Sequence, residues 1–326
     1  MSRLYLVTGA AGFVGSYVVR ELCAAGYRVR GLVRQPGQAA GVESAGAEAV
    51  IGDIRDPQTL APAMAGAAGV CHIAAMFRQA NEPDQVYYDI NATGTRNVLD
   101  AAIAAGVPRV VHCSTVGVLG HIEHPPADET TPYNAGDIYQ RSKMEGEKAA
   151  LDYFRSGRIG GVVIRPAMIY GPGDTRTLKM FRMIAKGTFF YVGRGDNLVH
   201  FIDVRDLARA FRLALERVER NGGIYIIAGA RAMPLRELAA CAARELGVHP
   251  PRLRVPVKPM QWLGSLCEAV CVPLRINPPL YRRRVDFFTK DRCFDGHLAA
   301  EHLGFRPAQT PQQEIRDILK DYRDRG

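Results

Sequence analysis

The sequence predicts an α/β protein built on a doubly wound parallel sheet, and three observations predict it. Short β-rich runs alternate with helical periods through the first two-fifths of the chain. A glycine turn, T-G-A-A-G-F-V-G from Thr8 to Gly15, follows the first of those runs and leads into a helix. Far downstream, Tyr139 and Lys143 stand one helical turn apart in Y-Q-R-S-K.

Each element has its own justification. Arg3 to Thr8 is short, apolar and β-rich, a buried strand. The helix after the turn, Ser16 to Ala25, puts Tyr17, Val18, Leu22 and Ala25 on one side, and Gly26 closes it as a left-handed cap. Arg28 to Val33 is the second strand and Ala49 to Asp53 the third. Pro57 to Ala65 reads as a helix with Asp56 as N-cap and proline at its first position. Gly69 to Ile73 is the fourth strand. A long helix from Asn91 to Ala105 ends at Gly106, and Val107 to Cys113 is the fifth strand.

Composition narrows the function classes. The 326 residues suit one large or two modest domains, with an ordinary 47% hydrophobic content. The formal charge of +9 is spread along the chain, with Arg282-Arg283-Arg284 as its tight cluster; that is a solvated face and no nucleic-acid footprint. Seven cysteines without a C-x-x-C read as reduced thiols, and we expect a cytoplasmic protein with no signal peptide and no membrane span. The eight histidines show no metal-ligand spacing, so no metal is expected.

The glycine turn carries a chemical meaning. Glycines let the backbone bend tightly and approach a pyrophosphate, which rests on the N–H groups at the start of the helix. The second strand closes at Val33-Arg34 with no acid to take a ribose 2′-hydroxyl; Arg34 suits the 2′-phosphate of NADP instead, so NADP(H) is favoured over NAD. Asp53 after strand three is placed to accept from the adenine amino group or to cap a helix. A phenol and an ammonium at i and i+4 share a helix face, and the positive charge favours the phenolate. Tyr139 can therefore trade a proton while a nicotinamide trades a hydride.

Taken together, eight motifs resemble the extended short-chain dehydrogenase/reductases. They are the turn at Thr8, G-D-I-R-D at Gly52, H-I-A-A at His72, N-A-T-G-T-R-N-V at Asn91, V-V-H-C-S-T-V-G-V-L-G at Val110, Y-Q-R-S-K at Tyr139, R-P-A-M-I-Y-G-P-G-D at Arg165 and F-I-D-V-R-D-L-A-R-A at Phe201. The resemblance implies a seven-stranded Rossmann-type sheet and a smaller C-terminal α/β substrate domain. We expect residues 1–165 in the dinucleotide domain, with a strand and helix returning at about 198–228, and residues 166–326 mainly in the substrate domain. It implies Tyr139 as general acid/base, Lys143 as the holder of the nicotinamide ribose, and a Ser or Thr after strand five that orients the substrate oxygen. Counting back from Leu119-Gly120 selects Thr115, with Ser114 in reserve, since neighbours on an extended strand face opposite ways. The cofactor contacts it implies are Gly9, Gly12, Phe13, Val14, Gly15, Arg34, Asp53, Ile54, Ala74, Ala75, Asn91, Ser114, Tyr139, Lys143, Pro166 and Met168. Asn97 is expected to be structural.

The family divides between nucleotide-sugar enzymes and enzymes of apolar alcohols and ketones. Met168 stands where the former have an Asn that grips the substrate diphosphate, and Val199 where they commonly have an Arg. Both positions are apolar here, which favours an apolar, sterol-like substrate and a hydroxyl–ketone interconversion of the 3β-hydroxysteroid dehydrogenase kind. A 4-carboxysterol would then lose carbon dioxide. The rivals are a nucleotide-sugar epimerase or dehydratase and a cofactor-sensing protein without catalysis. Met260, Leu263, Leu266, Cys267 and Val270 fall at helical spacing, either as a core face of the small domain or as an apolar lid or membrane-surface patch beside Arg282 to Arg284. A homodimer is expected.

Overall fold

The computed structural model describes residues 2–77, 82–217, 221–271 and 282–325. Seven parallel strands form the central sheet: β1 Leu4–Thr8, β2 Arg28–Val33, β3 Glu48–Ile51, β4 Gly69–His72, β5 Arg109–Cys113, β6 Gly160–Pro166 and β7 Gly223–Ile227. Their spatial order is β7-β6-β5-β4-β1-β2-β3. Strands β1, β4 and β5 are buried along their whole length, as expected of strands covered on both faces. The order reverses between β1 and β4, and a crevice opens there at the carboxyl ends of the strands.

The helices that position the site are α1 Phe13–Ala24, α2 Gly94–Ala104 and α3 Ile138–Arg155. Helix α1 starts three residues earlier than the apolar periodicity suggests. Gly15 lies inside its first turn, where a Cβ would come within 2.0 Å of the Gly9 carbonyl oxygen, so only glycine fits. Strand β3 stops at Ile51, two residues short of expectation; Asp53 is drawn into a turn in which its N–H donates to Thr59 Oγ1 at 3.0 Å. Asp56 is the expected N-cap, accepting from the Gln58 N–H at 3.1 Å. The long helix predicted from Asn91 opens with a π-turn, Asp89–Thr93, and is regular only from Gly94. Helix α3 begins in a capping box between Asp137 and Gln140 that fixes the phase of its later side chains.

The second half departs from the sheet and returns to it. Helices α4 Thr175–Ala185, α5 Val204–Glu216, α6 Leu235–Leu246, α7 Val257–Cys271, α8 Arg282–Thr289 and α9 Pro311–Arg325 complete the fold. Helix α5 packs beside α1, joined by Arg212 to Glu21 at 2.7 Å, and leads into β7. A separate apolar cluster, including Tyr170, Phe181, Tyr191, Val199, Leu238 and Ile318, is tied together by short strand pairs. Met168–Tyr170 pairs with Phe201–Asp203, Leu198–Val199 with Met233–Pro234, and Tyr191–Val192 with Arg254–Val255. The Tyr170 hydroxyl donates to Glu314 of α9 inside this cluster.

On α7, Trp262, Leu263 and Leu266 are exposed, Trp262 to 67%, so these positions do not form a core face. The side chains of Val270 and of Arg282 to Arg284 lie outside the described residues. Among the described residues, no helix is long and apolar enough to cross a membrane and no cluster of ligating side chains could hold a metal ion. The seven cysteines are free thiols.

Candidate active site

The crevice is one continuous cleft of about 1720 Å³ running from Arg34 and Asp53 at one end to Phe190 and Phe288 at the other. Its centre is the glycine turn. Gly9 sits at φ +70°, and a Cβ there would meet the Ala74 backbone at 2.9 Å, so the turn and the Ala74-Ala75 segment approach as closely as only glycine allows. Gly12 is the N-cap of α1 and offers no side chain to its first N–H groups. Those donors and the helix dipole remain for an anion, with Phe13, Val14 and Gly15 lining the same wall. This cradle fits the diphosphate of a dinucleotide.

Buried hydrogen bonds hold the cradle in place. Thr8 Oγ1 accepts from the Ile73 and Ala74 N–H groups at 3.1 and 3.2 Å and lies 2.8 Å from His72 Nδ1. Thr95 spends its proton on the Asn91 carbonyl at 2.8 Å and lies 3.1 Å from His72 Nε2. The protonated ring nitrogen is therefore Nε2, donating to Thr95, while Nδ1 accepts from Thr8. Burial, with Lys143 nearby, lowers the His72 pKa to about 3. The ring of His112, 5.3 Å away, is likewise held neutral, chiefly by burial.

At the end beside β2 and β3, Arg34 is exposed on the cleft, and its N–H donates to Gln38 Oε1 at 3.0 Å. Asp53 also lines the cleft, but its carboxylate is held by Arg55 at 2.6 Å, whose hydrogen bonds lower the Asp53 pKa. Any adenine contact must share that carboxylate with Arg55. Ile54 lines the cleft, and its carbonyl accepts from Asn97 Nδ2 at 2.9 Å, which gives Asn97 a structural part.

One expected cofactor residue is corrected. Asn91 is 1% exposed and does not line the cleft. Its carboxamide accepts from the Met76 N–H at 2.8 Å and donates to the Met76 carbonyl and to Ser142 Oγ at 3.1 and 2.9 Å. It braces the segment after β4 against α3, and acts on the cleft only through them.

Tyr139 and Lys143 face the cleft from α3, below the end of β5. Lys143 is 2% exposed, and its ammonium donates to the Cys113 carbonyl at 2.6 Å. Burial pushes its pKa down. The Tyr139 ring meets Phe77 edge to face at 5.0 Å. Thr115 Oγ1 accepts from the Gly117 N–H at 3.0 Å, which leaves the hydroxyl proton free to point into the cleft. Ser114 is also at the cleft wall, but it is 3% exposed and its proton goes to Glu147. The hydrogen bonding thus distinguishes Thr115, the hydroxyl expected to orient the substrate, from Ser114, the one held in reserve.

Glu147 is the residue that sequence reading missed. It is fully buried and accepts from Arg165 at 2.6 and 3.0 Å, from the Tyr133 hydroxyl at 2.8 Å and from Ser114. The signal was present: Tyr139, Lys143 and Glu147 are spaced four and four, one stripe of α3.

At the opposite end, Pro166 and Met168 line the cleft, but Val199 does not. It is 0% exposed and packs into the second-half apolar cluster, opposite Met233 across a strand pair. Val199 thus offers the cleft no anionic anchor, as its apolar side chain implies, but it sits in the core and not at the cleft wall. The wall here is Phe189, Phe190, Phe201, Phe287, Phe288 and Phe294 with Met180 and Met183; Arg176, Lys179, Lys290 and Arg292 stand among them.

The comparisons agree with this geometry. The NAD dependent epimerase/dehydratase family matches residues 5–228. Sterol demethylase protein B of Methylococcus capsulatus is 30% identical over 98% of each chain. The N-acetyl-alpha-D-glucosaminyl-diphospho-ditrans,octacis-undecaprenol 4-epimerase of Escherichia coli O157:H7 is 29% identical, over 82% of this chain and 79% of its own. The crystal structure of gox2253 superposes with a TM-score of 0.84 at 32% identity, covering 100% of this chain and 99% of the other. A switch-point cleft with a glycine cradle, a Tyr and Lys on one helix stripe and a family match across the sheet lead to one conclusion: the chain belongs to the NAD-dependent epimerase/dehydratase family of extended short-chain dehydrogenase/reductases.

Proposed function

We propose that the protein interconverts a hydroxyl and a ketone on an apolar ring substrate, a sterol- or steroid-like 3β-alcohol, with NADP(H) preferred over NAD. The observation that carries this reading is the aromatic and methionine wall of the substrate end. Burial of ring surface there supplies binding at roughly 25 cal/mol per Å². The nicotinamide, when bound, supplies the hydride chemistry. In oxidation Tyr139 takes the hydroxyl proton, and Thr115 donates its free proton to the substrate oxygen. Lys143, anchored at 2.6 Å on the Cys113 carbonyl, holds the nicotinamide ribose and supplies the positive field at Tyr139.

A nucleotide-sugar substrate is the rival, and one observation keeps it standing. Lys290 and Arg292 line the same wall as the phenylalanines. A panel of 3β-hydroxysterols, with and without a 4-carboxyl group, and of UDP- and GDP-sugars, each offered with NAD and NADP, decides between them. We expect sterols to raise Tm and to give nicotinamide turnover, faster with NADP. Micromolar binding of a sugar nucleotide with no response to sterols overturns the proposal.

A further inference from the structure

Arg176 stands at the first turn of α4, in the half of the molecule that faces the substrate, yet it reaches the half that faces the cofactor. Its guanidinium lies 5.6 Å from the ring centre of Phe13, at the start of α1, and 5.4 Å from that of Phe77, just after β4. All three side chains line the cleft. No packing requirement of α4 itself explains an arginine here, since the residue is on the exposed side of the helix.

The local structure holds the guanidinium in this pose. Asp174 is the N-cap of α4 and is 2% exposed at its side chain. It accepts from the N–H groups of Arg176 and Thr177 at 3.1 and 3.3 Å and from Thr177 Oγ1 at 2.9 Å. The same carboxylate accepts from Arg176 Nε at 2.8 Å. One buried acid therefore caps the helix and aims the arginine. Nη2 reaches the Ile169 carbonyl only at 3.4 Å, and Nη1 makes no hydrogen bond to a described residue. Between two aromatic faces, with Nε tied back, the outer edge of the fork is left to a ligand in the cleft.

The position selects the ligand. Phe13 follows Gly12, and its own N–H is one of the uncapped donors of α1 at which a diphosphate rests. We infer that Arg176 is a cofactor contact supplied from the substrate half, binding the dinucleotide diphosphate from the side opposite the glycine cradle. This rests on the reading of the cleft as a dinucleotide site. Its consequence is coupling: bound cofactor draws α4, and with it the wall that carries Met180 and Met183, toward the glycine turn.

The test uses the whole protein and the fragments ADP and adenosine, which share the base and ribose and differ in the diphosphate. In Arg176→Met we expect ADP and NAD(P)H to bind roughly ten- to a hundredfold more weakly, with adenosine unchanged within twofold. Arg176→Lys, which keeps the charge and loses the planar fork, should recover part of the loss. Unchanged ADP affinity in Arg176→Met overturns the inference, as does an equal loss for ADP and adenosine, which reports damage to the site at large. If the unmodified protein fails to bind ADP at all, the dinucleotide reading falls and the inference with it.

Discussion

The two ends of the cleft are made of different material. Around the diphosphate cradle much of the wall is main chain: Gly9, Gly12, Gly15, Ala74 and Ala75 line it beside Phe13 and Val14, and a Cβ at Gly9 or Gly15 would collide with neighbouring backbone. At the other end the wall is side chain: phenylalanines and methionines from several short strands and helices, with lysines and arginines among them. A main-chain wall recognises what every dinucleotide has in common and tolerates little change. A side-chain wall can be altered one residue at a time without disturbing the sheet. The first end therefore states the class of chemistry, and the second states the molecule it is applied to.

That contrast can be broken, and the largest expected effect lies where the two ends meet. Tyr139→Phe removes one transferable proton; turnover should fall by roughly 10²–10⁴-fold while cofactor affinity stays within twofold. Steady-state kinetics with a parallel cofactor titration checks this, and retention of most activity would remove Tyr139 from the chemistry. The next effect tests a part of the substrate wall that lies off α4. Phe190→Ala should raise the KM for an apolar ring substrate by roughly ten- to a hundredfold, as expected for a lost aromatic contact, and leave cofactor binding unchanged. A matching loss of cofactor affinity would mean that Phe190 serves the cofactor as well.

Arg34→Ala sharpens the comparison at the adenosine edge, where a side chain does intrude on the main-chain wall. NADP(H) should bind roughly tenfold more weakly, and NAD should be unaffected. Tighter binding of NAD than NADP by the unmodified protein would refute the preference assigned to Arg34.

The smallest effect separates the two halves by pH. In the cofactor half, His72 has a pKa lowered to about 3, below the ordinary 6.5, so the unfolded chain binds the extra proton and stability falls as pH drops through that window. In the substrate half, Glu314 is raised from 4.5 to about 7 by burial, so its contribution is present at low pH and is lost as pH rises toward 7. The two slopes oppose each other between about pH 4.5 and 6.5. Glu314→Gln removes the second slope, and the rise of Tm with pH should become steeper in the variant. Parallel curves would show that Glu314 does not titrate in this range.

The same division decides how much could be read from sequence. Strands β1, β2, β4 and β5, the glycine turn and the Tyr139–Lys143 stripe were legible because each is set by residues close in sequence. Boundaries slipped where a close approach overrode periodicity, as Gly15 does for α1 and Thr59 does for the end of β3. In the substrate half the strands are two or three residues long and pair across long gaps, Tyr191–Val192 with Arg254–Val255 for example. No periodicity develops in two residues. Val199 is the example: its spacing from a motif is clear, but its facing depends on a pairing with Met233 that sequence does not announce. Asn91 is a different case. Its position was right, and a side chain that could serve a ligand is instead consumed by Met76 and Ser142.

The chain contains a single tryptophan, and it is Trp262, two-thirds exposed on α7. An indole already in water changes its emission little when the chain unfolds. Red-edge fluorescence will therefore be nearly silent on the melting of the sheet, and the thirteen tyrosines, several of them buried, must carry the optical record of folding. That silence has a use. Any blue shift in the indole emission of the native protein isolates one event, the covering of α7, with no label attached and no background from the rest of the fold.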